Sequence, residues 1–237
     1  MMFKHIIFDI GNTLLYDLPN ERDALRIRFE QFIHRSLSSD QLDCLLRIFH
    51  NMEYMLLSRE LESSIRLSDE QFNRALDLST LMSYYDNDVY KSNQMIESFS
   101  KVEWPQKEMF VPPQIHIILD ELKSRGQKMS IVSNYTSDVI EKIDSFNLTN
   151  YFETIIISAD VGVEKPDIRI MEIALQRLHL YPQDCLYVGD HPFDVLCAKK
   201  AGLSMAWLAP PNLTLPISIK YKEDFRLENI MEILNIV

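Results

Sequence analysis

Asp9, Thr13, Ser133, Lys165, Asp190 and Asp194 are the residues of this chain whose types could do chemistry together. Three are carboxylates, hard oxygen donors of the kind that suits Mg²⁺. Lys165 adds one compact cation. Ser133, with Asn134 beside it, adds neutral hydrogen-bond donors, and loops that run into helices add backbone N–H groups. Carboxylates around Mg²⁺, one lysine and hydroxyl donors make a site suited to phosphoryl transfer.

These residues are scattered, so the fold has to gather them. FKHIIFD (3–9) is a short apolar run that ends in Asp9 and is broken by Gly11 and Asn12, which reads as a buried strand entering a functional loop. Further strands are expected at 127–134, ending in Ser133 and Asn134, at 154–158, and at 184–190, ending in Gly189 and Asp190. A last one is expected at 204–209. Helices are expected between them: 114–124, ended by Gly126, then 137–146, 167–178 after Pro166, and 193–201, stopped by Gly202. A short amphipathic helix closes the chain at 226–236. Alternating strands and helices imply right-handed crossovers and a parallel sheet, which binds ligands at the carboxyl ends of its strands. Asp9, Ser133 and Asp190 all fall at such ends, and Lys165 lies in the loop after another strand.

Residues 20–100 have a different character. Leu25, Phe29, Phe32 and Ile33 recur at helical spacing, as do Leu42, Leu45, Leu46 and Phe49 after a cap at Ser39 or Asp40. Ser68 and Gln71 form a capping-box pattern. No strand signal intrudes, and a connector bearing Pro105, Pro112 and Pro113 leads back. The expected fold is α/β: a Rossmann-like parallel sheet with helices on both faces, formed by residues 1–16 and 106–237. An all-helical insertion occupies 17–105.

Four segments together carry a resemblance. FDIGNTL, IVSN, GVEKPDIRIM and YVGDHPFDVLCAKKAG resemble, in order and spacing, motifs I to IV of the haloacid dehalogenase superfamily. The helical insertion resembles that family's C1-type cap, which would close over the site and select the leaving group. The resemblance implies that Asp9 is the nucleophile and forms an aspartyl-phosphate, that Ser133 hydrogen-bonds the phosphoryl group, and that Lys165 neutralises its charge and holds Asp9. Asp190 would ligate Mg²⁺ directly, and Asp194 through water or by steadying Lys165. Gly11 would give its backbone carbonyl to the metal. Thr13, Asn134 and Asn12 are the candidate substrate-binding residues.

One position departs from the family's phosphatases, most of which carry a second Asp two residues after the nucleophile. That Asp protonates the leaving group and later activates water, and here Gly11 takes its place. General acid–base assistance is worth roughly 10²–10⁴-fold, so its loss would slow hydrolysis most for poor leaving groups. Asp17, His191 and water are each weak substitutes on sequence alone.

The bulk properties narrow the partners. Lys and Arg total 24 against 35 Asp and Glu, a formal charge of -11. That field repels nucleic-acid phosphates and anionic membrane surfaces, but a metal ion and a local lysine can dominate inside a site, so a small phosphorylated metabolite fits. Cys44, Cys185 and Cys197 form no metal spacing, and the latter two sit in apolar settings as buried thiols, which suits a reducing compartment. The opening MMFKHIIFD is too short and too early charged for a secretory signal. No apolar stretch reaches membrane-spanning length. A cytoplasmic monomer or homodimer is expected.

Each motif also has an ordinary reading. Ser133 and Asn134 are common turn residues, Pro166 and Asp167 suit a helix entry, and Asp190 and Asp194 could be a solvated first turn. His191 is expected to face solvent. Met52, Met55 and Leu56 are expected to pack the insertion's core, and Tyr84, Tyr85 and Tyr90 to lie on its surface. Two other functions compete. A metal-free dehalogenase would use Asp9 on carbon, but those relatives usually carry a bulky aromatic where Gly11 stands. A non-catalytic binder is supported by Gly11 alone.

Overall fold

The computed structural model describes residues 3–63, 67–210, 213–215 and 219–237. Met1 and Met2, on which part of the leader reading rests, lie outside them. Contacts divide the chain into two compact units. One comprises the residues up to Tyr16, Met109–Leu215 and Ile219–Val237. The other comprises Asp17–Glu108.

Among the described residues, the first unit is built on six strands: β1 (His5–Phe8), β4 (Lys128–Ser133), β5 (Thr154–Ile157), β6 (Cys185–Gly189), β7 (Ser204–Leu208) and β8 (Phe225–Leu227). They pair in the order β5-β4-β1-β6-β7-β8, every pair parallel. Alternation along each strand sends side chains to two cores. Ile6, Phe8, Met129, Ile131, Leu186 and Val188 pack one face with α5 (Pro113–Ser124) and α6 (Val139–Ser145). Ile7, Val132, Tyr187, Met205 and Trp207 pack the other with α8 (Arg169–Leu178) and α9 (Pro192–Lys200). The fold is therefore a Rossmann-like α/β sandwich, as the alternating strand and helix signals require. A single helical turn, α7 (Ser158–Val161), follows β5 and was not expected.

The C-terminal reading is corrected. Residues 225–227 form β8, which adds to β7 with Leu208 opposite Leu227, so 204–209 does not hold the last strand. The chain then closes in a 3-10 helix, Ile230–Asn235, capped by the Asn229 side chain, rather than an α-helix over 226–236. Ile230 and Ile233, three apart, suit that tighter period and pack into the first core.

Among the described residues, the second unit contains four helices: α1 (Glu21–Ile33), α2 (Ser39–Ser63), α3 (Asp69–Tyr84) and α4 (Val89–Phe99). Leu25, Phe29, Leu45, Phe49, Leu76, Ile96 and Phe99 form its core. Arg28 is buried in it, with both ends of its guanidinium on Asp77 and its Nε donating to the Val102 carbonyl. The cap of α2 is Ser38, whose hydroxyl accepts from Gln41 N while Gln41 Oε1 accepts from Ser38 N, rather than Ser39 or Asp40. Ser68 and Gln71 form their capping box. Leu56 is buried and Met52 packs against the core, but Met55 is 56% exposed. Tyr84 and Tyr85 pack on the core and only Tyr90 stands in solvent. Tyr16–Leu18 (β2) and Glu108–Phe110 (β3) pair as a two-stranded ribbon where the chain passes between units.

Candidate active site

The strand order explains why distant residues meet. β1 lies between β4 and β6, so Asp9, Ser133 and Asp190 follow or end three adjacent parallel strands on the same edge. Asp9 N still donates to Val188 O at 2.8 Å, extending the sheet by one residue to the nucleophile's own backbone. The next turn is tight: Leu14 N and Leu15 N both bond back to Ile10 O, and Asn12 adopts a left-handed conformation, which asparagine tolerates.

Lys165 is the hub. Its Nζ donates to Asp9 Oδ1 at 2.6 Å, to Asp194 Oδ1 at 2.5 Å and to Tyr187 Oη at 3.1 Å, and the residue is buried. Burial alone would lower its pKa; Asp194 and then Asp9 outweigh it and hold the ammonium charged well above the ordinary lysine range. The main chain of Lys165 is fixed by Asn134, whose Oδ1 accepts from Lys165 N and whose Nδ2 donates to Lys165 O, each at 2.8 Å. Both ends of the Asn134 amide therefore serve to place the lysine.

Ser133 Oγ donates to Asp9 Oδ1 at 2.8 Å. Among the described residues, both hydrogen bonds to the Asp9 carboxylate thus fall on Oδ1. Asp9 and Asp190 have raised pKa values, chiefly through burial. Asp194 raises both further, Asp9 also raises Asp190, and Lys165 works against the rise in each case. Asn12 bonds the Asp190 side chain and favours its charged form. Asp194 is fully buried, with Oδ1 on Lys165 and Oδ2 accepting from His191 N at 2.9 Å, which favours the reading that it steadies the lysine. Thr13 is also fully buried and its hydroxyl has no partner among the described residues.

Gly189 makes that closeness possible. A Cβ there would lie 2.3 Å from Asp194 Oδ2 and 2.6 Å from its Cγ, so only glycine lets the carboxylate lie against the end of β6. His191 does not face solvent as expected. It is half-buried, caps α9 by accepting from Phe193 N on Nδ1, and burial pushes its pKa down to about 4. Asp17 is paired with Lys107 at 3.1 Å.

Three further contributors went unread in the sequence. Tyr187 donates to Val132 O at 2.7 Å and accepts from Lys165, and a buried tyrosine mid-strand, needing a partner for its hydroxyl, was the available signal. Trp207 Nε1 donates to Asp190 O at 2.7 Å and pins the loop after β6. Tyr135 has its ring beside Gly11. Beside Asn12 and Asp190 opens a cavity of about 680 Å³, lined also by Tyr16, Phe110, Gln114 and Glu228.

The residues present fit a divalent cation. Asp9, Asp190 and Asp194 each offer a carboxylate oxygen, and these lie within 4.8 Å of one another. That is a hard, anionic donor set of the kind Mg²⁺ takes. A cation there would also offset the repulsion that raises Asp9 and Asp190.

The model of haloacid dehalogenase-like hydrolases matches residues 6–208. The chain is 26% identical to a putative pyrophosphatase PpaX from Clostridium perfringens, over 100% of this chain and 98% of that one. It is 27% identical to a glyceraldehyde 3-phosphate phosphatase from Methanothermobacter thermautotrophicus, over 86% of this chain and 84% of the relative. In structure it resembles the putative HAD-hydrolase YfnB from Bacillus subtilis, solved bound to magnesium, with a TM-score of 0.63 and 20% identity, covering 100% of this chain and 99% of that one. That last likeness bears on the fold. With the family model spanning most of the chain, this protein belongs to the haloacid dehalogenase-like hydrolases.

Proposed function

We propose that this protein is a Mg²⁺-dependent phosphatase of a small phosphorylated metabolite, with Asp9 as nucleophile. The observation that carries the reading is the convergence of three carboxylates within 4.8 Å around a buried lysine that bonds two of them. The names of the PpaX relative and of the archaeal phosphatase support the same class of reaction. We assign the helical unit Asp17–Glu108 as the family's cap, on the strength of its insertion after motif I.

Asp9 holds its Oδ1 on Ser133 and Lys165, which leaves Oδ2 to attack phosphorus in line. The phosphorus–oxygen bond to the leaving group breaks, and an aspartyl-phosphate forms on Asp9. Water then attacks phosphorus, releases phosphate and restores the carboxylate. Lys165 keeps its charge throughout and offsets the negative charge on the phosphoryl oxygens. Asp194 and Asn134 keep Lys165 in place, one on its ammonium and the other on its main chain. The Thr13 hydroxyl is a free donor for substrate. Asp9 and Asp190, with the Gly11 carbonyl, would hold Mg²⁺. When bound, that ion would neutralise the carboxylates and polarise the phosphoryl group. The cavity beside Asn12 and Asp190 lies in the size range of small-molecule sites.

The test is hydrolysis of p-nitrophenyl phosphate with and without Mg²⁺, beside Asp9→Asn. Turnover that needs the metal and disappears in Asp9→Asn is the expected result. A folded, Mg²⁺-binding protein with no turnover would overturn the reading, and a metal-free assay on a 2-haloacid would then separate a dehalogenase from a non-catalytic binder.

A further inference from the structure

Gly11 stands where the resemblance expects an aspartate that protonates the leaving group, so the question is what fills that space. Neither the backbone nor crowding demands a glycine. Gly11 does not have the left-handed φ that favours one, and an added Cβ would meet nothing closer than 3.6 Å. What it would meet is Tyr135: Cε2 and Oη both lie 3.6 Å from that point, and Asp9 Oδ2 lies 4.0 Å from it. The phenol oxygen and the attacking carboxylate oxygen therefore border the same spot. An added Cβ would rest in ordinary contact with the ring, so the Tyr135 phenol borders the space that Gly11 leaves open.

Tyr135 is also held there. It comes two residues after Ser133, its N–H donates to Ser158 Oγ at 3.2 Å, and Ser158 Oγ lies 3.2 Å from its carbonyl. Its ring packs against the core on that face of the sheet.

The geometry points to Tyr135 as the group that donates to the leaving oxygen, in place of the absent aspartate. The inference rests on the phosphatase reading above. As the phosphorus–oxygen bond breaks, its electron pair stays on the leaving oxygen and the phenol proton moves to that oxygen, giving the free alcohol and a phenolate. The water that later attacks phosphorus passes one proton back to the phenolate, so tyrosine is restored with the carboxylate. A neutral phenol also differs from a carboxylate in adding no negative charge beside Asp9.

The experiment compares wild type and Tyr135→Phe in Mg²⁺ on two esters that share a ring and differ in leaving ability, p-nitrophenyl phosphate and phenyl phosphate. Tyr135→Phe keeps the packed ring and removes only the hydroxyl. Expected is a loss of roughly 10²–10³-fold in kcat on phenyl phosphate, within the range of acid–base assistance, and less than about tenfold on p-nitrophenyl phosphate, whose leaving group needs no proton. Retained p-nitrophenyl phosphate turnover itself shows that the variant is folded. A second variant, Tyr135→Phe with Gly11→Asp, is expected to regain at least tenfold on phenyl phosphate. Equal losses on both esters, or none, would overturn the inference while leaving the phosphatase reading intact. Absence of Mg²⁺-dependent turnover in the wild type on either ester would overturn both.

Discussion

Replacing Lys165 by methionine removes the one cation that, among the described residues, bonds two of the three clustered carboxylates, while keeping most of its buried volume. The ammonium makes three bonds, to Asp9 at 2.6 Å, Asp194 at 2.5 Å and Tyr187 at 3.1 Å, inside a site where Lys165 is 5% exposed and Asp194 0%. Deleting one partner of a buried ion pair costs about 3–5 kcal/mol, because the remaining charge has neither partner nor water. At roughly 2–4 °C per kcal/mol for a chain of this size, Tm at pH 8 without divalent ions should fall by about 10 °C. The sign with pH follows from Asp9, whose folded pKa is already raised by burial and loses its chief lowering influence. A carboxyl with a raised folded pKa carries no penalty below its unfolded value near 4, and stability is lost as pH rises through the folded pKa. The gap between variant and wild type should therefore be wide at pH 8 and narrow at pH 5. Thermal denaturation of both proteins at the two pH values reads this directly, and phosphatase turnover should fall at least 100-fold. A variant as stable as wild type at pH 8, or one equally destabilised at both pH values, would refute the reasoning.

Three other outcomes rest on the same geometry. Gly189→Ala drives a methyl to within 2.3 Å of Asp194 Oδ2, so it should lower stability by about 2 kcal/mol and weaken Mg²⁺ binding in calorimetric titration; unchanged binding would show that Asp194 can move aside freely. Mg²⁺ at about 100 times its Kd should stabilise the wild type by about 2.7 kcal/mol, and Asp190→Asn should lose most of that rise in Tm; an equal rise in both would place the ion elsewhere. Burial pushes His5 down to about 4, and it is 1% exposed, so its contribution is intact above pH 6.5 and is lost as pH falls towards 4, about 3 kcal/mol in all. His5→Gln should show a shallower fall in Tm across that window, whereas an identical slope would mean that the ring is not held neutral.

The sheet and the strand-end loops were legible because each is a local event: an apolar run interrupted by Asp9, Ser133 or Asp190 tells where a strand stops. Parallel order then follows from the intervening helices. The features that stayed hidden depend on register or on very short elements. β2, β3 and β8 have three residues each, too few for a period to emerge, and β8 is defined by its pairing with β7. Tyr187 and Trp207 both pack in the core. The Trp207 indole reaches the Asp190 carbonyl because β6 and β7 are adjacent and in step, and the Tyr187 hydroxyl meets Lys165 across 22 positions of chain. His191 was misjudged for a similar reason, since its exposure depends on how α9 closes against the sheet. Asn134 looked like a substrate ligand, and the structure shows its amide engaged with the main chain of a residue 31 positions away.

Charge constrains how the site has to work. Three carboxylates and one ammonium leave it two units negative if all are ionised, and burial with mutual repulsion already raises Asp9 and Asp190. A phosphate monoester brings about two more negative charges, so the chain's own groups would repel the substrate they are meant to hold. A divalent cation brings the bare site to neutrality, and the Thr13 hydroxyl, which has no partner among the described residues, then has an anion to bond. A second aspartate at position 11 would add another negative charge beside Asp9, which is the position that Gly11 leaves uncharged. On this reasoning Gly11→Asp in the otherwise native chain should bind Mg²⁺ more tightly but bind inorganic phosphate more weakly, even if Tyr135 gives way to admit it. Parallel titrations with the metal and with phosphate separate these two effects, and a variant that gained affinity for both would show that the phosphoryl group does not sense the charge at position 11.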